Sequence, residues 1–136
     1  MSGVTETVNF VRKCDCYFIS TLDENEQPRV RPFGLIFEDN GKVIIGMGSY
    51  KDVYKQIKAH PRIEICAFHK ESGKWIRLNG KAVEDTKPEY VEKGFEMFPN
   101  LRDVYNEKTG LKMALFYLDE LHSTLYSFAD KPVALV

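Results

Sequence analysis

The chain has no long apolar run. Its longest stretches, such as Val43 to Ile45 and Met113 to Leu118, fall far short of the roughly 20 residues a membrane-spanning helix needs. It also lacks an excess of either charge. With 19 Lys and Arg against 20 Asp and Glu, the net charge is −1, so no overall positive field is available to gather nucleic acid. Cysteine is scarce and odd in number, three in all, which argues against a disulfide framework in a chain that reads as intracellular. Cys14 and Cys16 have no second Cys/His pair at zinc-site spacing, so no metal is expected and the thiols read as buried and reduced. Glu6 and Asp15 interrupt any signal-peptide pattern, which makes the cytoplasm the expected compartment. There is no GxxxxGK[ST] loop and no GxGxxG turn, which excludes a P-loop and a dinucleotide fingerprint. Repeats, low-complexity tracts and linkers are missing as well, and 136 residues suit one domain spanning 1–136.

What is there is a succession of short extended segments. Val4, Val8 and Val11 have the spacing of a short amphipathic helix. Tyr17 to Leu22, rich in aromatic and β-branched residues, reads as a strand and is followed by a turn at Asp23 to Pro28. Val30 to Phe37 is extended, and Pro32 within it points to an edge, a bulge or a strand start. Asp39-Asn40-Gly41 is a hairpin signal leading into a strand over Val43 to Met47. Tyr50, Val53, Tyr54 and Ile57 then share one helical face, with Ser49 and Asp52 at N-cap and N3 spacing; His60-Pro61 stops that helix. Strands over Ile63 to His69 and Trp75 to Glu84 flank a turn at Glu71 to Gly73, and a second helix runs from about Pro88 to Phe98. Met113 to Leu118 and Thr124 to Phe128 read as a final hairpin joined by Asp119 to Ser123. Six or seven antiparallel strands with two or three inserted helices favour a closed barrel over a doubly wound sheet.

Chemistry concentrates between Gln27 and Arg62. The strand over Val43 to Met47 passes through Gly46 and Gly48 into Ser49 and a helix. Glycines permit close backbone approach, and the first amides of a helix lack internal partners and sit at the positive end of its dipole. Those amides, the Ser49 hydroxyl and the Lys51 ammonium can hold a phosphate there. The bland alternative is that Ser49 only caps the helix and Lys51 is solvated. Arg29 and Arg31 point to one face of a strand, again either toward a ligand or toward solvent. Arg29, Arg31, Lys51, Lys55, Lys58, Arg62 and Lys74 crowd the first 75 residues, an asymmetry that suits a small phosphorylated ligand better than a polyanion.

The segments QPRVRPFG, VIIGMGSYK, HPRIEICAF and KWIRLNGKAVE, taken in order, resemble the flavin-binding half of the pyridoxamine-phosphate-oxidase-like family. The resemblance covers residues 16 to 85 and continues more weakly to the C-terminal strands. It implies a mainly β fold with inserted helices, the Greek-key split β-barrel, as a homodimer with FMN at the subunit interface. By the same resemblance Arg31, Pro32, Phe33 and Gly34 lie along the isoalloxazine and ribityl chain. Ser49 and Lys51 fall on the phosphate-binding pair, Gly46, Met47 and Tyr50 complete the cofactor contacts, and Trp75 approaches the flavin from a neighbouring strand. A core or dimer-interface tryptophan is the other reading of Trp75.

Where the family often has Gly-Ser-Arg-Lys, this chain has Gly48-Ser49-Tyr50-Lys51, one phosphate cation fewer, for which Arg29 can compensate. It also lacks the C-terminal Trp- and Arg-containing segment of the vitamin B6 oxidases. It is therefore more similar to the nitroimidazole-resistance and general-stress flavoprotein branch. The implied activity is an FMN-dependent oxidoreductase that takes electrons from a donor such as a nicotinamide and reduces a small planar acceptor. Two alternatives stand beside it: a flavin-binding or sensing module without turnover, and a barrel holding another planar ligand such as haem or a deazaflavin. No catalytic acid or base stands out; His69 ends a strand, His60 terminates a helix and His122 lies in a turn.

Overall fold

The computed structural model describes all residues, Met1–Val136. Helix α1 (Gly3–Lys13) precedes strands β1 (Tyr17–Leu22), β2 (Pro28–Phe33), β3 (Ile36–Asp39) and β4 (Lys42–Gly48). Helix α2 (Asp52–Ala59) leads to β5 (Arg62–His69) and β6 (Lys74–Glu84), followed by α3 (Pro88–Met97) and the short α4 (Leu101–Val104). The long β7 (Met113–Tyr126) and the two-residue β8 (Val133–Ala134) finish the chain. Every pairing is antiparallel, in the order β2-β1-β5-β6-β7-β4-β3, with β8 beside β7. The run β5-β6-β7 with β4 returning beside β7 is a Greek key.

Closure of the barrel follows from chain length. β2 and β3 are the two opposite edges of the sheet, yet only Gly34 and Leu35 separate them. Three Cα steps span at most about 11 Å, so the sheet must curl until its edges meet at this corner. The result is the split barrel. Tyr17 fixes the corner: its buried hydroxyl donates to the Leu35 carbonyl at 2.6 Å, and its ring meets Phe33 edge-on at 6.2 Å. Burial pushes the phenol pKa upward, so the donor keeps its proton. Pro32 sits on edge strand β2, where no interior ladder is disturbed.

Two apolar clusters explain why β4 reads as a nearly continuous apolar run. Ile36, Ile45 and Phe116 face the barrel interior, which Val8 and Val11 of α1 cover. Phe37, Ile44 and Leu115 face outward against Tyr90, with α3 residues Val91 and Phe95 packed around them. β3, β4 and the first half of β7 are thus buried on both faces.

The structure departs from the sequence reading at four places. The extended run from Val30 to Phe37 is two strands, β2 and β3, broken at Gly34 and Leu35 where the chain turns the barrel corner. β7 is one strand rather than a hairpin; Glu120, at φ 52°, forms a bulge, and the β6 register shifts between Asn79 and Lys81. Gly80 accommodates it, because a Cβ there would stand 2.7 Å from the Asp119 carbonyl oxygen. Helix α2 starts at Asp52 with Lys51 as its N-cap and no side-chain cap, so Tyr50 lies outside the helix and is exposed. Ser49 donates instead, from both backbone N and Oγ, to the Lys112 carbonyl at 2.9 and 3.1 Å. Finally, the three thiols are half-buried rather than buried.

Helix α2 is tied down through Glu84 of β6. Tyr54 Oη and Lys58 Nζ donate to Glu84 Oε1 at 2.8 and 3.0 Å, and Thr86 Oγ1 donates to Oε2 at 3.0 Å. Burial alone would raise the Glu84 pKa; the hydrogen bonds from Lys58, Tyr54 and Thr86 outweigh it and hold the carboxyl below its usual range. Its contribution to stability is therefore full above the ordinary carboxylate pKa and fades as pH falls through the depressed one. Glu84→Gln is expected to destabilise the fold by about 1 kcal/mol at neutral pH, a charge-assisted bond discounted for partial exposure. Chemical denaturation across pH should show the difference from wild type shrinking toward zero in acid.

Candidate functional site

The open side of the barrel corner carries a groove of about 920 Å³ between edge strand β2 and the first turns of α2. Arg29, Arg31, Pro32 and Phe33 line it from β2, and Lys51, Asp52, Lys55, Gln56 and His60 from α2 and its ends. Asp23 and Glu24 close one end. A smaller, apolar compartment of about 170 Å³ adjoins it, lined by Gly34, Leu35, Gly46, Met47, Phe98, Leu101, Tyr105 and Met113. Phe33 and Lys51 line both, with the Lys51 ammonium 5.9 Å from the centre of the Phe33 ring. A cationic groove therefore opens onto an apolar one across a single residue pair.

Arg31 is the distinctive charge. Its Nη1 donates to Thr21 Oγ1 at 2.6 Å and more distantly to the Ile19 carbonyl at 3.4 Å, and its Nη2 donates to Gln56 Oε1 at 2.9 Å. All three partners are neutral, and no carboxylate pairs with Arg31, Lys51 or Lys55. Burial lowers the Arg31 pKa, the neighbouring Arg29 lowers it further, and Asp52 partly offsets both. Arg29, by contrast, is already paired with Asp23 at 3.0 Å, which weakens its claim to replace the missing family cation. A partly buried guanidinium with only neutral partners, beside an unpaired ammonium and an uncapped helix start, has the chemistry that suits an anion.

The residues singled out from sequence divide in two. Arg31, Pro32, Phe33 and Lys51 line the cationic groove, and Phe33, Gly34, Gly46, Met47 and Lys51 the apolar compartment. Ser49, Tyr50 and Trp75 line neither. Trp75 stacks on Tyr126 at 5.6 Å with planes 7° apart and leans on Phe128, on the outer face of the sheet. His69 is held in its turn by Ser72 Oγ at 2.7 Å and Glu71 at 3.2 Å, away from both cavities. Sequence reading missed Thr21 and Gln56, which only the tertiary fold brings to Arg31. It also missed Phe98, Leu101 and Tyr105 as a wall. The Pro99-Asn100 break after α3 signals a new turn but not where its side chains go.

The family model described as pyridoxamine 5′-phosphate oxidase matches residues 4–111. A solved NimC/NimA family protein from Clostridium acetobutylicum is similar over 98% of this chain and 91% of its own, at 33% identity and a TM-score of 0.86. A protein from the same organism, related to general stress protein 26, shares the fold at 13% identity and a TM-score of 0.70, over 96% and 92% of the two chains. So does a pyridoxamine 5′-phosphate oxidase-related, FMN-binding protein from Nostoc punctiforme, at 15% identity and a TM-score of 0.61, over 98% and 93%. No curated protein matches the chain.

The corner between β2 and β3 shapes both compartments, so it can be tested directly. Tyr17→Phe leaves the Leu35 carbonyl without its buried donor and is expected to cost about 1–3 kcal/mol of stability by denaturant titration. A loss within experimental error would show that the corner is held without this bond.

Proposed function

The chain belongs to the pyridoxamine 5′-phosphate oxidase family, and on that premise we propose that it binds FMN and uses it to reduce a small planar acceptor. The observation that carries the reading is the Arg31 guanidinium, partly buried on neutral partners beside the unpaired Lys51, at the junction of a cationic and an apolar compartment. The ligand chemistry this junction suits is an anionic head joined to a flat ring. FMN has both, and the FMN-binding relative supports the choice.

In this reading Arg31 and Lys51 hold the phosphate, with the amides that open α2 behind them. Phe33, Gly34, Gly46 and Met47 present an apolar and backbone surface to the ring. Phe98, Leu101 and Tyr105 exclude water from its far edge. Bound flavin would supply the redox chemistry, accepting electrons from a donor such as a nicotinamide and passing them on. The protein supplies position and a desolvated surface; Asp52 and His60 line the cationic groove, and no carboxylate or histidine lines the apolar compartment that takes the ring.

A second copy of the chain completes the site. On the outer face of β1, β5, β6 and β7, Phe18, Phe68 and Phe128 are exposed around the Trp75–Tyr126 stack. Phe18 stands opposite Pro32 in the β1–β2 register, so this apolar face runs up to the groove. A contiguous exposed patch of this kind favours burial against another copy. Light scattering is expected to give twice the 15.7 kDa chain mass, and Trp75→Glu to shift the population toward monomer. A monomeric wild type with FMN bound would remove the interface from the proposal.

The flavin reading is tested by titrating the protein with FMN and with riboflavin. FMN should bind more tightly, and Arg31→Ala or Lys51→Ala should weaken FMN by about tenfold to a hundredfold, from 1.5–3 kcal/mol per charge-assisted bond, while leaving riboflavin unchanged. Equal affinity for both ligands would contradict the phosphate site. Turnover of nicotinamide with nitroaromatic acceptors separates an enzyme from a binding module. If no flavin binds at all, haem and deazaflavin become the ligands to try.

A further inference from the structure

Resting on the FMN reading, we infer that Gln56 and Thr21 form the device that makes the site selective for a phosphate, with Gln56 itself a neutral phosphate donor. The orientation of the Gln56 amide is fixed by its two neighbours. Gln56 Oε1 lies 2.9 Å from Arg31 Nη2 and 2.6 Å from Thr21 Oγ1. A guanidinium only donates, so the atom facing it must be the amide oxygen; the flipped amide would set two donors against each other. The single Thr21 hydroxyl proton goes to that same oxygen, while the hydroxyl oxygen accepts from Arg31 Nη1 at 2.6 Å. Thr21 is 2% exposed while Arg31 and Gln56 are half-buried, so this three-membered ring of bonds is anchored on its buried side and faces the groove on the other.

The arrangement fixes which donors are left over. Arg31 has five N–H groups, and its end-on pair, one from each Nη, is occupied by Thr21 and Gln56, with the other Nη1 hydrogen turned to the Ile19 carbonyl. Its side-on pair, Nε–H with the second Nη2–H, has no acceptor. That is the fork geometry that grips two oxygens of one phosphate. The Gln56 NH2 group likewise has no acceptor, and Gln56 lines the same groove as Arg31 and Lys51. The neutral partners matter as much as the positions. A carboxylate in place of Gln56 would orient Arg31 equally well but cancel the charge the phosphate needs.

The distinguishing experiment is the ratio of FMN to riboflavin affinity in wild type, Gln56→Leu, Gln56→Glu and Thr21→Val, with thermal melts to verify folding. Gln56→Leu and Thr21→Val are expected to lower the ratio by about tenfold, the loss of one or two hydrogen bonds. Gln56→Glu is expected to lower it further, although its ion pair with Arg31 keeps the fold at least as stable. A Gln56 without a part in phosphate binding would leave the Gln56→Leu ratio at the wild-type value. That outcome, or a ratio unchanged within about twofold in all three variants, overturns the inference while the FMN reading stands. A wild type without any FMN preference overturns both.

Discussion

The structure around the groove depends on one unbalanced charge. Arg31 is drawn partly out of water onto a hydroxyl, an amide oxygen and a backbone carbonyl, none of which neutralises it. Desolvating a cation without a counter-ion is costly, and folded proteins avoid it unless another group supplies the missing charge. Here the only carboxylate that bears on it is Asp52, exposed at the start of α2. In the proposed function the phosphate is that group. Around Arg31, Thr21 from β1, Gln56 from α2 and the β2 edge are brought together by barrel closure. Closure in turn hangs on the two-residue link between the sheet edges and the Tyr17 bond that pins it.

The same closure separates the molecule into functional layers. The barrel interior is filled by side chains, with Ile19, Ile45, Ile65, Ile76 and Leu78 fully buried. Both compartments lie outside it, where the split edges, α2 and the α3–α4 segment meet. Glu84 holds α2 from the opposite side, so the helix that offers Lys51 and Gln56 is tethered to the sheet at its middle and C-terminal end. Its N-terminal end, facing the groove, has no side-chain cap.

Much of this was legible in the sequence because it rests on local rules. Alternation in β1, β5 and β6, the Asn40-Gly41 turn and the valine spacing of α1 each encode their element within a few residues. Arg31, Phe33 and Lys51, which line the two cavities, stand out in the sequence because the order of the motifs around them resembles a family pattern. What was not legible depends on distant neighbours. The bulge at Glu120 looks like a turn in sequence, and only the paired β6 strand, with Gly80 leaving room, turns it into one bent strand. Ser49 has the residue type and spacing of a cap, but Lys112, far along the chain, claims its hydroxyl. Gln56 reads as one more polar residue on a helix, and nothing short of the fold sets it against Arg31 and Thr21.

The most direct measurement is the crystal structure of the protein with FMN. The account expects the phosphate within hydrogen-bonding distance of the side-on edge of Arg31 and of Lys51, with the ring extending past Phe33 toward Gly46 and Met47. A flavin bound with its phosphate away from Arg31, or against the outer aromatic face around Trp75, would contradict it.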